Sequence, residues 1–333
     1  MKRILAIAFV STLLVQVHAQ KRVRDFSLAP PTGTVETSLY QYIDVIDGRD
    51  FKENLGIIQV GALNAKAQVI PEIPLEKQIQ QQLGLLVQGS TGDGTLVLLI
   101  KKFAVAELTG AFSESGFFDF RAELFVKDPF NSYQKLASID TSHVNKGMDV
   151  TKGLLRHASW IVTDFLKDNL NKLPSDTTRY NIAQISDFEN MEKAKTPLYQ
   201  NAVLKDGIYT DYRHFKNQMP DGEATLKDQD PAKGFYTLDA KGKLKRIKAN
   251  SCYAVVVNGM AYISSENNFY PLFREGHDFF FQGPSRATAS ATNVVAASVM
   301  FGALGAVLAS NNVEYYLTKI DFYNGSFIKI SKL

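Results

Sequence analysis

The chain has 333 residues with 37 basic and 34 acidic side chains, which gives a formal net charge of +3. A nearly neutral chain carries no general electrostatic signal for nucleic acid, so we expect no nucleic-acid partner. Cys252 is the single cysteine, which excludes an internal disulfide and leaves stability to an ordinary hydrophobic core. The length is sufficient for two such cores.

The N-terminus, MKRILAIAFVSTLLVQVHAQ, has the pattern of a secretory signal peptide. A basic pair, Lys2-Arg3, precedes an apolar run, and a Val-His-Ala cleavage site ends at Ala19. A membrane anchor is the alternative, but the run is shorter than the ~20 residues that a spanning helix needs. We therefore expect residues 1–19 to be removed on export and residues 20–55 to form an N-terminal extension.

Residues 56–172 carry strand and helix patterns in the order β-α-β-β-β-α. The first strand pattern is GIIQVGALNAKAQVI, and FFDFRAELFVKD alternates in the way a half-buried strand does. LEKQIQQQLGLL and DVTKGLLRHASWIVTDFLKDNL each place their apolar side chains on one helical face. This order predicts an α+β domain in which two helices cover one face of an antiparallel sheet.

The second half has a different residue composition and a different secondary-structure pattern. Residues 173–205 are polar and interrupted by proline, which predicts a linker. From residue 206 to residue 333 short strand patterns and turns dominate, and Asn258-Gly259 and Asn324-Gly325 are strong hairpin signals. We therefore predict a small β-rich domain with one apolar helical insertion at residues 291–310.

The apolar insertion contains no charge between Arg286 and Glu314. Small residues recur in it every four positions and would line one helical face: Ser298, Gly302, Ala306 and Ser310. This spacing allows another backbone to approach closely. Three interpretations stay open: a helix buried in the β-rich domain, a membrane-inserted or oligomerising helix over residues 294–310, and an exposed loop. We favour burial, because the strand patterns on both sides look like parts of one sheet.

The second candidate interaction surface is the densest basic run of the chain: Lys241, Lys243, Lys245, Arg246 and Lys248. In a strand, Lys243 and Lys245 would share one face while Arg246 and Lys248 share the other. A ribbon of this kind suits anionic lipid head groups or acidic glycans. The alternative, which we favour, is an edge strand that its charges keep from aggregating.

No motif for a catalytic, metal or cofactor site is recognisable. The Gly-rich loop 89–94 precedes a strand, whereas a phosphate site requires a helix N-terminus there. Loop 228–239 has Lys233 and Asp239 at the sixth and twelfth positions, where an EF-hand requires Gly and Glu, and no G-x-S-x-G elbow occurs. Four histidines outside the leader have no metal-ligand spacing: His143, His157, His214 and His277. We expect no cofactor and a non-catalytic protein; an enzyme with a site not visible in the sequence ranks third.

Two stretches resemble secreted proteins of Bacteroidetes that have no assigned function. GIYTDYRHFKNQMP, residues 207–220, is similar to their recurrent GxYxxxxxFxxNxP module, and NGMAYISS, FYPLF and YYLTKIDFYNGSFIKI follow it. The resemblance covers residues 197–333. The first half is similar, in element order only, to periplasmic auxiliary lipoproteins of lipid-transport systems. The residue directly after Ala19 is Gln20, whereas a lipoprotein has a cysteine there to carry the lipid. Neither resemblance implies a catalytic residue.

Together these patterns predict an exported protein of the bacterial cell envelope, either periplasmic, associated with the outer membrane, or secreted. Its expected role is binding or scaffolding, with another envelope protein or a lipid or glycan surface as partner. Self-association remains open. The alternative is a membrane-associated protein that oligomerises through the helix at residues 294–310.

Overall fold

The long strand patterns of the first half form one seven-stranded sheet. The computed structural model describes residues 22–49, 52–61, 65–109, 113–148, 150–285 and 314–333. The strands of this first sheet are β1 (Val23–Phe26), β2 (Tyr40–Asp47), β3 (Gly56–Val60), β4 (Ala65–Pro71), β5 (Gly94–Thr109), β6 (Glu114–Lys127) and β7 (Tyr133–Gly147). Their order is β1-β4-β3-β5-β6-β7, and β2 lies beside the first part of β5.

The predicted antiparallel arrangement is correct for only part of this sheet. β5, β6 and β7 pair antiparallel, but β2 and β3 run parallel to β5, and β1 runs parallel to β4. An apolar pattern reports which face of a strand is buried and says nothing about the direction of its neighbour. The sheet is therefore mixed, and the fold is α+β. Residues 20–55, predicted as an extension, supply β1 and β2, whose Phe26 and Tyr40 are buried in the core.

Two helices, α1 (Leu75–Leu86) and α2 (Thr151–Lys167), lie on one face of the first sheet. Both were predicted in these places. Their side chains buried against the sheet are Leu75, Ile79, Leu83, Leu86, Leu154, Ala158 and Val162. Because each fully buried aliphatic side chain contributes roughly 1.5–3 kcal/mol, these two rows fix the helices on the sheet.

The segment predicted as a linker is instead packed between the two halves. It forms α3 (Ile182–Ser186), α4 (Phe188–Ala194) and α5 (Pro197–Gln200). Ile185 and Phe188 pack on the face of the first sheet opposite α1 and α2. Leu198 and Tyr199 belong to the core of the second half. Sequence analysis missed this packing because the apolar residues are few and stand among charged ones.

The second half forms a seven-stranded antiparallel sheet in the order β17-β16-β15-β14-β13-β12-β8. Its strands are β8 (Gly207–Tyr209), β12 (Ala254–Val257), β13 (Met260–Ser265), β14 (Asn268–Glu275), β15 (Asp278–Ser285), β16 (Glu314–Ile320) and β17 (Phe327–Lys332). Helix α6 (Tyr212–Lys216) follows β8, and a small sheet contains β9 (Thr225–Leu226), β10 (Phe235–Leu238) and β11 (Leu244–Arg246). The two predicted hairpins are confirmed, since β12 pairs with β13 and β16 pairs with β17.

The GxYxxxxxFxxNxP-like stretch folds into β8 and α6. Tyr209 and Phe215 are fully buried and pack edge to face. A Cβ at Gly207 would lie 2.4 Å from Cβ of Pro220, so the glycine allows the first and last residues of this stretch to approach closely. Gln218 stands where the module has asparagine, and its buried side chain binds the backbone of Lys205 and Phe215. Each residue that matches the module thus has a packing role.

The apolar insertion, with Ser298, Gly302, Ala306 and Ser310, lies outside the described residues. The strands that flank it are hydrogen-bonded neighbours, and their register runs to Ser285 opposite Glu314. Both strands belong to the sheet that contains β12 and β13, as predicted. Within the described ranges, no helix combines the length and the hydropathy needed to cross a membrane.

Candidate functional site: the cleft between the two sheets

The predicted basic ribbon lies on and beside β11, at the edge of the small sheet. Lys243, Lys245, Arg246 and Lys248 are all exposed. The backbone pairing places Lys245 opposite Thr237 and Arg246 opposite Tyr236 on β10. β11 thus lies at the edge of the small sheet, where the interpretation as a charged edge strand, favoured above over a binding surface, places it.

A different set of charged residues lines a cleft of about 450 Å³ where the two halves meet. One wall is the face of the first sheet that α1 and α2 leave open, with Arg49, Lys101 and Lys102. The other walls are α4 and the second sheet, with Lys193 and Asp321. The volume lies within the range of roughly 300–1,000 Å³ that is typical of small-molecule sites.

A β-bulge directs two consecutive lysines into this cleft. The pairing of β5 with β6 shifts between Ile100 and Lys102, so Lys101 has no opposite residue on β6. Before the bulge, Leu98 and Ile100 face the helices; after it, Phe103 does. Lys101 and Lys102 therefore both line the opposite face, whereas a regular strand would place one of them in the core.

Lys101 contacts aromatic groups rather than a carboxylate. Its ammonium donates a hydrogen bond to the hydroxyl of Tyr323. It also lies 5.0 Å from the ring centroid of Tyr323 and 5.2 Å from that of Phe188. Among the described residues no carboxylate forms an ion pair with it, although the charges of Glu189 and Glu123 act on it from further away. Burial lowers the pKa of Lys101 from 10.5 to about 8, and those two charges offset only part of the effect.

Arg49 is the second cation of the cleft with an unused donor. It follows β2, and its side chain is 6% exposed. Nε and Nη2 donate to Asp47 at 2.9 and 2.7 Å, and Nη2 also donates to the carbonyl of Lys52 at 2.8 Å. In the described part of the chain, Nη1 is buried with no acceptor. A buried guanidinium N–H without an acceptor costs about 1–3 kcal/mol or more, so this donor favours an incoming oxygen.

The other cations around the cleft are held in ion pairs. Nζ of Lys102 lies 2.6 Å from Oδ2 of Asp119. Nζ of Lys193 and Nζ of Lys319 lie 2.6 Å from Oδ1 and Oδ2 of Asp278, respectively. These two lysines lower the pKa of Asp278 by more than its burial raises it. Asp119 and Asp278 are therefore paired, and in the described part of the chain neither Lys101 nor Nη1 of Arg49 contacts a carboxylate.

One of the ion pairs joins the two sheets directly. Arg121 on β6 binds Asp321, which follows β16, at 3.1 Å, and their side chains are 8% and 4% exposed. Arg121 also binds Asp140 on β7 and lies 4.2 Å from the ring centroid of Tyr323. Burial disfavours the guanidinium charge, but the carboxylates of Asp321 and Asp140 more than offset this and raise its pKa. The pair fixes the hairpin that forms one wall of the cleft.

The Lys101→Met variant is expected to change the pH dependence of stability. Between about pH 8 and pH 10.5 the unfolded chain keeps a proton on Lys101 that the folded chain has lost, so this group makes stability rise with pH. The free energy of unfolding of the wild type, relative to Lys101→Met, should rise over this window by at most ~3 kcal/mol, since the cleft is open to solvent. Urea unfolding at a series of pH values measures this difference. A difference that is the same at all pH values would contradict the expectation.

The exposed Lys152 on α2 provides the control for this experiment. Lys152→Met removes the same charge from the same domain but from a solvated position. Its difference from the wild type should stay flat across the same pH range. Comparison with this variant also removes the contribution of the buried tyrosines, which titrate in all three proteins.

The structure brings together two histidines that the sequence left apart. The rings of His143 on β7 and His157 on α2 stack with centroids 3.6 Å apart. Burial, and then the neighbouring His157, lowers the pKa of His143. Nδ1 of His214 lies 3.1 Å from Oδ1 of Asp211, and Nε2 of His214 lies 3.6 Å from Oδ1 of Asp221. Over the ranges that the structure describes, no group of three or more His, Cys, Asp or Glu residues could hold a metal ion.

Sequence analysis singled out neither Arg49 nor Lys101. The available signal was the adjacent pair of lysines in the middle of an otherwise apolar strand, LVLLIKKFAVAEL. A regular strand would bury one of two adjacent lysines, so the pair indicates either a bulge or a polar surface on both faces. The sequence around Arg49, by contrast, gives no signal, because its importance comes from burial beside β5.

No protein family model matches this sequence. No curated protein matches it either. Among solved structures, the chain is similar to a protein from Xanthomonas campestris of the family DUF330, with 8% identity and a TM-score of 0.29. That match covers 44% of this chain and 95% of the other. A second structure, described as an uncharacterized protein, has 10% identity and a TM-score of 0.23 over 44% of this chain and 96% of its own.

Proposed function

We propose that this chain is an exported, non-catalytic protein of the bacterial cell envelope that binds a small anionic ligand in the cleft between its two sheets. The observation that carries the proposal is one lysine without an ion-pair partner and one unused guanidinium donor, both among the described residues that line the same cleft. Lys101 contacts a hydroxyl and aromatic rings, and Nη1 of Arg49 has no acceptor among the described residues.

The energetics favour an anion over a neutral ligand. An isolated charge that is partly removed from water is destabilised, and an opposite charge or a hydrogen-bond acceptor relieves this. A carboxylate or phosphate provides both, and it suits the planar guanidinium and the lysine ammonium alike. The ring of Phe322 lines the cleft and supplies an apolar wall for the rest of the ligand.

In this proposal the two sheets are two domains. The signal-peptide pattern and the resemblance of residues 197–333 to secreted proteins of Bacteroidetes support the location in the envelope.

The experiment that tests anion binding is a thermal-shift and calorimetric comparison of matched ligands. Benzoate and phenyl phosphate have an anionic group on a phenyl ring, and benzamide is the neutral control. We expect the two anions to raise the melting temperature and to bind with measurable heat, whereas benzamide does neither. Lys101→Met should weaken anion binding at least tenfold, and Lys152→Met should leave it unchanged. Equal behaviour of anions and benzamide, or an unchanged affinity in Lys101→Met, would contradict the proposal.

A further inference from the structure

Lys101 differs from the other cations around the cleft in a way that concerns reactivity. Lys102, Lys193 and Lys319 each bind a carboxylate within 2.6–2.7 Å. Lys101 has no such partner among the described residues and lies against Phe188 and Tyr323. Burial lowers the pKa of Lys101 to about 8, so near neutral pH a larger fraction of it is the neutral amine than for an ordinary lysine, and only the neutral amine is a nucleophile.

The position of Lys101 leaves this amine accessible. The bulge in β5 places it on the cleft wall, and its side chain is only partly buried. Lys216 is a useful comparison, because burial also lowers its pKa. Lys216 lies 3.8 Å from the ring centroid of Phe322 and does not line the cleft. Of these two lysines, only Lys101 combines an environment that favours the free amine with an opening to a small molecule.

We infer that Lys101 captures its ligand as a reversible imine, and that the ligand class is small acids that carry an aldehyde or ketone. The inference rests on the proposed function, because the acidic group is what brings the ligand into the cleft. Nη1 of Arg49 is the donor available to that acidic group. The carbonyl group is then presented to the amine of Lys101 on the same cleft wall.

The chemistry balances without an oxidant, a reductant or a co-reactant. The lone pair of Nζ attacks the carbonyl carbon, and a proton from nitrogen passes to the oxygen to give a carbinolamine. The C–O bond then breaks as the nitrogen lone pair forms the C=N bond, and the hydroxyl group leaves as water with the second proton of the original amine. Tyr323 is hydrogen-bonded to Nζ, and burial raises its pKa, so its hydroxyl stays protonated and can relay the proton.

The test uses the full mature chain with 4-carboxybenzaldehyde, which has a carboxylate and an aldehyde on one ring. Sodium cyanoborohydride reduces an imine to a stable amine, and peptide mapping by mass spectrometry then locates the adduct. Near neutral pH we expect one main adduct, on Lys101, formed at least tenfold faster than on any other lysine. Lys101→Met should abolish it, and Lys216→Met should retain it. The mapping in the wild type stands even if a variant fails to fold.

The matched alcohol, 4-(hydroxymethyl)benzoate, separates this inference from the proposed function. It keeps the carboxylate but cannot form an imine. If the alcohol binds and the aldehyde gives no adduct on Lys101, the imine is wrong while anion binding stands. If neither compound binds, both are wrong. Adducts spread evenly over surface lysines would also overturn the inference, since they would show that the cleft confers no selectivity.

Discussion

Replacing Arg121 with alanine is expected to lower the free energy of unfolding by about 3–5 kcal/mol, because it leaves a buried carboxylate without its counter-charge. Asp321 has a 4% exposed side chain, so water cannot replace the guanidinium. The substitution also removes the stacking of Arg121 on Tyr323. Because this pair joins the two sheets, anion binding in the cleft should weaken as well. Chemical denaturation measures the first effect, and calorimetry with benzoate measures the second.

Two controls separate the ion pair from a general loss of packing. The double variant Arg121→Met with Asp321→Leu removes both charges and keeps most of the volume, so it should lose much less stability than Arg121→Ala. Lys127→Ala breaks a solvent-exposed pair with Asp44, at 3.6 Å on the same sheet, and should change stability by no more than about 1 kcal/mol. A double variant as unstable as Arg121→Ala would show that packing, rather than the unpaired carboxylate, dominates.

Gly325→Ala is expected to destabilise the second sheet by several kcal/mol, on the order of 3 or more, because a new side chain would overlap the packed neighbours of the β16–β17 hairpin. Its φ is +73°, and its Cβ would lie 2.2 Å from Cγ of Tyr212. Tyr212 cannot move easily, since its hydroxyl donates to the carbonyl of Phe322 at 2.7 Å. The hairpin carries Asp321, which lines the cleft, and Tyr323, which accepts a hydrogen bond from Lys101, so its displacement should also weaken anion binding.

Gly276→Ala is the matched control for this variant. Gly276 lies in the turn between β14 and β15 and has a φ of +58°, but no atom lies within 4 Å of its Cβ position. The control therefore has the backbone strain of the left-handed region, roughly 1–2 kcal/mol, without the overlap. Thermal and urea unfolding of the two variants should differ clearly. If they are equally stable, contact with Tyr212 is not what requires glycine at position 325.

The same contacts join the stretch that resembles the GxYxxxxxFxxNxP module to the β16–β17 hairpin. Tyr212 lies in the GIYTDYRHFKNQMP stretch and packs on the hairpin that contains Asn324-Gly325. Tyr253, at the start of the central hairpin, donates to the carbonyl of Gly325 at 2.7 Å. The separate stretches that carry the resemblance are therefore one packed unit.

Much of the secondary structure follows from local patterns. The apolar rows of α1 and α2, the three long strands β5–β7 and the two Asn-Gly hairpins depend on residues that are close along the chain. Periodicity and turn chemistry act at that range, so the sequence by itself determined them. The sequence also determined the mixed α+β character.

The direction of strands and the location of the site were decided only by the tertiary structure. β2 runs parallel to β5, and the segment around Phe188 covers the open face of the first sheet, although neither has a strong local pattern. Arg49, Lys101 and Tyr323 come from three distant parts of the chain. Their chemistry depends on burial, on a bulge and on the contacts that the fold places around them. These properties arise only when residues distant along the chain pack together, and no residue spacing in the sequence predicts them.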